Sequence, residues 1–306
     1  MRIDNPFHDG EQRVQELVGE RDIADLNSGG IGDRIVAPAY RFLSQLRFLV
    51  LGHADAQHGS EATVLFGPAG FLRAEEDGAV LSIELDPMRD PQSDPVLSKL
   101  APGGRIGGLA IDLATRRRLR INGRVRSFDA HQLVLEVRES YANCPKYIQK
   151  RVVELDERPH AESAPTASGS ELGEPQRALI RSSDTLFVVS VHPSGEADAS
   201  HRGGPPGFVQ VEDDGTLVIP DYAGNSMFNT LGNLATNPRA ALLFWDFETG
   251  RLLHLAGRAT LHLNGSATEG TAERHWRFRA ERWREQTLST AVRLRLVERS
   301  PFNPPA

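Results

Sequence analysis

The chain is written twice. The first copy runs Phe48-Leu-Val-Leu51, Gly67-Pro-Ala-Gly-Phe71, Glu75-Glu-Asp-Gly78, Ile111-Asp112-Leu-Ala-Thr115 and Ile121-Asn-Gly123. The second runs Phe187-Val-Val-Ser190, Gly204-Pro-Pro-Gly-Phe208, Glu212-Asp-Asp-Gly215, Trp245-Asp246-Phe-Glu-Thr249 and Leu255-Ala-Gly257. Spacing is kept along with residue type: Phe71 to Gly78 and Phe208 to Gly215 are both seven positions, Asp112 to Gly123 and Asp246 to Gly257 both eleven. A period this long is a whole domain, not a solenoid unit of about 20–50 residues. The 306 residues therefore divide into a polar, helical extension at 1–33, a first domain at 34–150, a Pro/Ser/Ala-rich linker at 151–174 and a second domain at 175–306.

Each copy opens with a short helix and a strand: Arg34 to Gln45 then Phe48 to Gly52, and Arg177 to Asp184 then Leu186 to Val191. The Asp-Gly pairs that follow sit between β-type runs and read as hairpin turns. Further strands are expected at Gly108–Leu113, Arg118–Val125 and Leu133–Arg138, and at Ala240–Phe247, Leu252–Leu263 and Val292–Val297. Closely spaced hairpins without βαβ alternation predict a mainly β chain (α+β), one antiparallel barrel per copy, with short flanking helices. The Arg-, Glu- and Trp-rich stretch at 265–287 reads as an amphipathic helix or excursion, with Trp276 and Trp283 as packing residues. Glu11 to Leu26 shows weak helical periodicity.

Composition narrows the function classes. A net charge of −6 gives no electrostatic case for nucleic acid or an anionic membrane, and no apolar run is long enough to span a bilayer. The N-terminus lacks an apolar signal core, and the single cysteine, Cys144, makes no intrachain disulfide, so a reducing cytoplasm is the expected location. The same count excludes a cysteine-based metal centre, and no carboxylate cluster supports metal binding at His192 or His201.

Where the copies differ is more informative than where they agree. Alignment on Gly-Pro-x-Gly-Phe sets Ser200-His201-Arg202-Gly203 against Thr63-Val64-Leu65-Phe66. A guanidinium fork beside a hydroxyl and glycines suits a phosphate. The second copy also carries Gly224-Asn225-Ser226-Met-Phe-Asn229-Thr-Leu, which reads as a helix capped by Asn225 or Ser226 with its positive end open to an anion. The first copy has the proline- and acid-rich Asp86 to Pro95 there. Arg116-Arg-Arg118 reads as a solvated basic turn.

Asp198-Ala-Ser200-His-Arg202-Gly-Gly-Pro-Pro-Gly-Phe208, Pro220 to Leu234 and Asn237-Pro-Arg239 resemble the pyridoxamine 5′-phosphate oxidase-like flavoproteins; Asn143-Cys-Pro-Lys146-Tyr-Ile-Gln149 is similar to a mark of their two-repeat branch. The resemblance implies tandem FMN-binding split barrels with FMN in a groove between barrels. Its phosphate would meet Ser200, His201, Arg202 and Gly203 on one side and Asn225, Ser226 and Asn229 on the other, with Lys146 as an added cation and Trp245 near the ring system. It implies an oxidoreductase acting on a small-molecule substrate or electron donor, with an intrachain pseudo-dimer or a homodimer enclosing the site. The chain's end, Ser300 to Ala306, does not match the substrate-phosphate segment of the vitamin-making oxidase. A non-catalytic flavin-binding or sensing protein is the alternative, as is a barrel for deazaflavin or for haem ligated by His192 or His201.

Overall fold

The computed structural model describes residues 5–55, 59–87, 90–155, 167–264, 274–288 and 292–304. Strands β1 (Phe48–Asp55), β2 (Gly59–Phe66), β3 (Leu72–Glu75), β4 (Val80–Glu84), β5 (Arg105–Asp112), β6 (Arg117–Phe128) and β7 (Gln132–Ala142) form an antiparallel sheet in the order β2-β1-β5-β6-β7-β4-β3. After β8 (Lys150–Leu155) and the short β9 (Ala167–Gly169) come β10 (Thr185–Val191), β11 (Ala197–Gly203), β12 (Gln210–Val211), β13 (Leu217–Asp221), β14 (Arg239–Trp245), β15 (Arg251–His262) and β16 (Arg274–Thr287). Their order, β11-β10-β14-β15-β16-β13-β12, repeats the first strand for strand. The last strand, β17 (Val292–Glu298), pairs with β8, so the closing strands of the two copies meet each other. The chain is two tandem antiparallel split barrels.

The repeated motifs now have physical causes. Gly123 and Gly257 stand at register shifts in β6 and β15, where a Cβ would collide with the carbonyls of Glu136 and Arg279. Asp112 and Asp246 each fold back on the turn that follows, accepting from the Thr115 and Thr249 hydroxyls. In the Gly-Pro-x-Gly-Phe turns, the Phe71 and Phe208 side chains lie against Gly67 and Gly204, leaving no room for a Cβ.

Side chains alternate across the central strands, and both faces are apolar. Leu49, Leu51, Leu186 and Val188 face their own barrel cores, while Phe48, Val50, Phe187 and Val189 join Leu109, Ile111, Leu243 and Trp245 in a third core between the barrels. A strand buried on both faces reads as an unbroken apolar run, which is what Phe48–Leu51 and Leu186–Val191 are.

Several expectations need correction. Both copies pair Leu49 and Leu186 with equivalent positions of β2 and β11, so Phe48 corresponds to Thr185, not Phe187; a uniform apolar run carries no register. The described part of 265–287 is strand β16, not a helix, and it, not Val292–Val297, is the counterpart of β7. Residues 265–273 lie outside the described residues. Trp276 is fully buried, as a packing residue should be. The segment read as a linker contributes β8 and β9, with 156–166 outside the described residues. Arg34 to Gln45 is helical only from Tyr40 to Gln45, after a tight turn at Ala37–Ala39.

The N-terminal extension is two helices, α1 (Asp9–Leu17) and α2 (Arg21–Ser28), parted at Gly19, whose φ is +72°. Helix α3 (Tyr40–Gln45) and α4 (Glu174–Ser182) lead into the two barrels, and α5 (Asn229–Thr236) lies on the second. Helix α1 packs against α5 closely enough that a Cβ on Gly10 would meet the Gly232 carbonyl.

Candidate functional site

Strand β11 is almost wholly buried although it carries Asp198, Ser200, His201 and Arg202. Buried polar groups require partners; those of Asp198 and His201 come from across the seam between barrels, those of Ser200 and Arg202 from within the second barrel. Asp198 pairs with Arg120 of β6. The Ser200 hydroxyl shares a hydrogen bond of 2.9 Å with Thr230. His201 Nδ1 lies 3.5 Å from Arg118 Nη1, and Arg202 approaches Asp221 at 3.7 Å. The site is thus assembled from both copies of the repeat.

A cleft of about 80 Å³ opens here. One water needs only about 10–15 Å³ of such space, so the cleft has room for a group of several heavy atoms such as a phosphate. Arg118, Arg120, Lys146, Arg202 and Arg274 line it against one carboxylate, Asp221. Burial, then the like charges of Arg120 and Arg202, pushes the Arg118 guanidinium down to about 9, so it stays charged at neutral pH. Burial also lowers Arg202, opposed by Asp221, and raises Asp221, opposed by Arg202 and Arg274. Burial and the neighbouring guanidiniums hold His201 well below its usual range, so the ring is neutral. Arg118 can only donate, so His201 Nδ1 accepts and the ring proton sits on Nε2. That Nε2 and Arg202 Nε are buried donors without an acceptor in the protein.

Of the residues expected at the site, Lys146, His201, Arg202, Gly203, Asn225, Ser226 and Asn229 line this cleft. Ser200 lies behind it, bonded to Thr230. Trp245 does not reach it: the indole is packed between Phe48 and Phe66, at ring distances of 5.3 and 5.4 Å, in the inter-barrel core. Neither Asn225 nor Ser226 caps α5, which begins at Asn229 after Phe228. Ser226 and Phe228 have φ of +60° and +59°, which keeps the chain out of the helix until that point. The polar side chains on this wall already have partners. Ser226 donates to Glu20 at 2.5 Å and Asn229 donates to Glu11 at 2.6 Å. Gly203 makes room for the Tyr147 carbonyl. His192 lies away from the cleft and bonds Asp9 and Ser194.

Three basic residues that sequence reasoning missed complete the cleft. Arg118 is no solvated turn: it donates to the carbonyls of Cys144 and Lys146 at 3.0 and 3.2 Å, fixing the loop that carries Lys146. Arg120 and Arg274 are the others. Sheet register sets Arg118 and Arg120 opposite Leu252 and His254 of the second copy, so the comparison that exposed Arg202 would have found them on β6 too. At the pseudo-equivalent site, Leu65, Val64 and Leu252 are core residues; one of two related sites is polar.

Glu11 couples the N-terminal helix to this region. Burial, opposed by the hydrogen bonds from Asn229 and the His8 N–H, raises its carboxyl from 4.5 to about 8. The folded chain therefore holds a proton that the unfolded chain releases near 4.5, and stability falls as pH rises from about 4.5 to about 8. Glu11→Gln is expected to flatten this decline. Melting temperatures of both proteins across that interval check it; parallel curves would contradict the assignment.

Residues 172–300 match the family model described as pyridoxamine 5′-phosphate oxidase. That match covers the second barrel, which carries the chain's likeness to the pyridoxamine 5′-phosphate oxidase family. No curated protein matches it. Among solved structures, HupZ of Group A Streptococcus is 17% identical, with 37% of this chain and 91% of that one covered and a TM-score of 0.30. A putative pyridoxamine 5′-phosphate oxidase from Lactobacillus delbrueckii is 15% identical over 37% of this chain and 93% of that one, TM-score 0.31. HutZ, the heme storage protein from Vibrio cholerae, is 15% identical over 35% and 89%, TM-score 0.26. Among the described residues no helix is long and apolar enough to cross a membrane.

Proposed function

We propose that the chain is an FMN-binding flavoprotein, an oxidoreductase for a small-molecule substrate or electron donor, with the FMN phosphate held at the seam between its own two barrels. The observation that carries this is a pair of buried donors without acceptors, His201 Nε2 and Arg202 Nε, on two residues of a cation-lined cleft. Buried donors without acceptors are costly, and an anion's oxygens would satisfy both. Arg118, His201 and Arg202 would hold the phosphate and Lys146 would add charge, while Ser226 and Asn229 shape the wall through their bonds to Glu20 and Glu11. When bound, FMN supplies hydride or electron transfer. The chain's residues bind and orient it and keep water from its phosphate. Both walls of the phosphate cleft come from one chain, which favours an intrachain pseudo-dimer over a homodimer.

Haem fits less well. Its axial ligand would be His201 Nε2, inside a cleft of about 80 Å³, and His192 is engaged by Asp9. Absorption spectra of the purified protein, with titration of FMN and deazaflavin into the apoprotein, test the reading. Binding of one FMN per chain is expected. A Soret band, or no flavin binding, would overturn it. Turnover with a nicotinamide donor and an acceptor separates an enzyme from a sensor.

A further inference from the structure

A second cavity, of about 380 Å³, lies beside the anion cleft and shares only Asn229 with it. Its volume is in the range of small-molecule sites, roughly 300–1,000 Å³. Helix α1, the sheet of the first barrel and strand β11 wall it, and its character is the reverse of the cleft's. Glu11, Glu139, Glu196 and Asp198 line it together with Asn122 and with His8, whose imidazole burial holds below its usual range. Glu11 and Asp198 are each 4% exposed. Asp198 gives one oxygen to Arg120 and its Oδ2 accepts nothing; Asn122 Oδ1 likewise accepts nothing. Glu139 accepts only a 3.3 Å bond from Asn122 Nδ2. The basic residues that also border the cavity, Arg105, Arg124 and Arg138, are half or fully exposed, and Arg138 pairs with Glu136.

The imbalance has a direction: the unfilled positions are acceptors, and Glu11 and Glu139 hold on to protons because no nearby cation outweighs their burial. Burial, reinforced by Glu139 and Asp198, raises Glu11 to about 8; burial, reinforced by Asp198 and Glu196, raises Glu139 to about 7. A neutral ligand offers these carboxyls no counter-charge and an anion opposes their ionisation, whereas a cation favours it. We propose that this cavity binds a small organic cation, its ammonium group donating to Asp198 Oδ2, Asn122 Oδ1 and Glu139. Three ammonium hydrogens match three acceptors. The proposal is tested separately from the flavin reading, because the two cavities share only Asn229 and Glu139 lines this one alone.

Calorimetric titration of the full-length protein with methylammonium and benzylammonium, and with benzyl alcohol as the neutral counterpart, tests it. At least one amine is expected to bind at millimolar concentration or below while benzyl alcohol does not. Glu139→Gln is expected to weaken amine binding by about tenfold or more, the loss of one charge-assisted hydrogen bond. Asp198→Asn should act in the same direction; since that variant also disturbs Arg120, the less buried Glu139 carries the test if it fails to fold. Exposed Glu84→Gln should leave amine binding unchanged. Absence of binding by both amines, equal binding of the alcohol, or unchanged affinity in Glu139→Gln would overturn the proposal.

Discussion

Arg202→Ala is expected to weaken FMN binding by about 1.5–3 kcal/mol, roughly 10- to 150-fold in Kd, the range for a hydrogen bond to a charged group. The guanidinium is mostly buried, faces Asp221 at 3.7 Å and keeps its Nε unpaired. Fold disruption does not confound the measurement, because Asp221 retains Arg274 at 3.4 Å. Arg202→Lys should recover part of the affinity: it restores the charge without the planar fork. Fluorescence quenching of FMN titrated into each apoprotein reads the effect. Wild-type affinity in Arg202→Ala would remove the phosphate from this cleft, whatever cofactor the protein holds.

Arg202 was legible in the sequence because duplication supplies its own reference. A charge that replaces a leucine at a matched position of a buried strand needs a reason. The fold was legible for the same cause, since turns and bulges fixed by Gly123, Gly257, Asp112 and Asp246 recur at equal spacing. What escaped notice depended on contacts distant in sequence. Ser226 and Asn229 find their partners 206 and 218 positions away, in an N-terminal extension with no counterpart in the second copy. Arg118 belongs to a run of three arginines whose composition is that of an exposed turn, and only the fold carries its side chain beneath the Lys146 loop. Trp245 looks the same in a sequence whether it packs against Phe48 or against a flavin. Strand β16 misled through spacing: Trp276 and Trp283 are seven apart, a helical interval, while the buried Trp276 and Phe278 follow the strand period of two.

Arg120→Met is expected to destabilise the fold by about 3–5 kcal/mol, the cost of leaving one member of a buried ion pair alone. Arg120 and Asp198 have side chains only 7% and 5% exposed and join β6 of the first barrel to β11 of the second. The guanidinium also donates to Asn143 Oδ1 at 3.0 Å, so its loss loosens the loop that leads to Lys146. Removing both charges, as Arg120→Met with Asp198→Leu, should recover most of that stability, since a well-packed apolar pair replaces a buried ion pair at little net cost. Chemical denaturation of the single and double variants separates the two effects. If the single variant loses less than about 1 kcal/mol, the range of exposed pairs, then Arg120 and Asp198 do not hold the seam together, and the β6–β11 contact that aligns Arg118 with His201 rests on apolar packing alone.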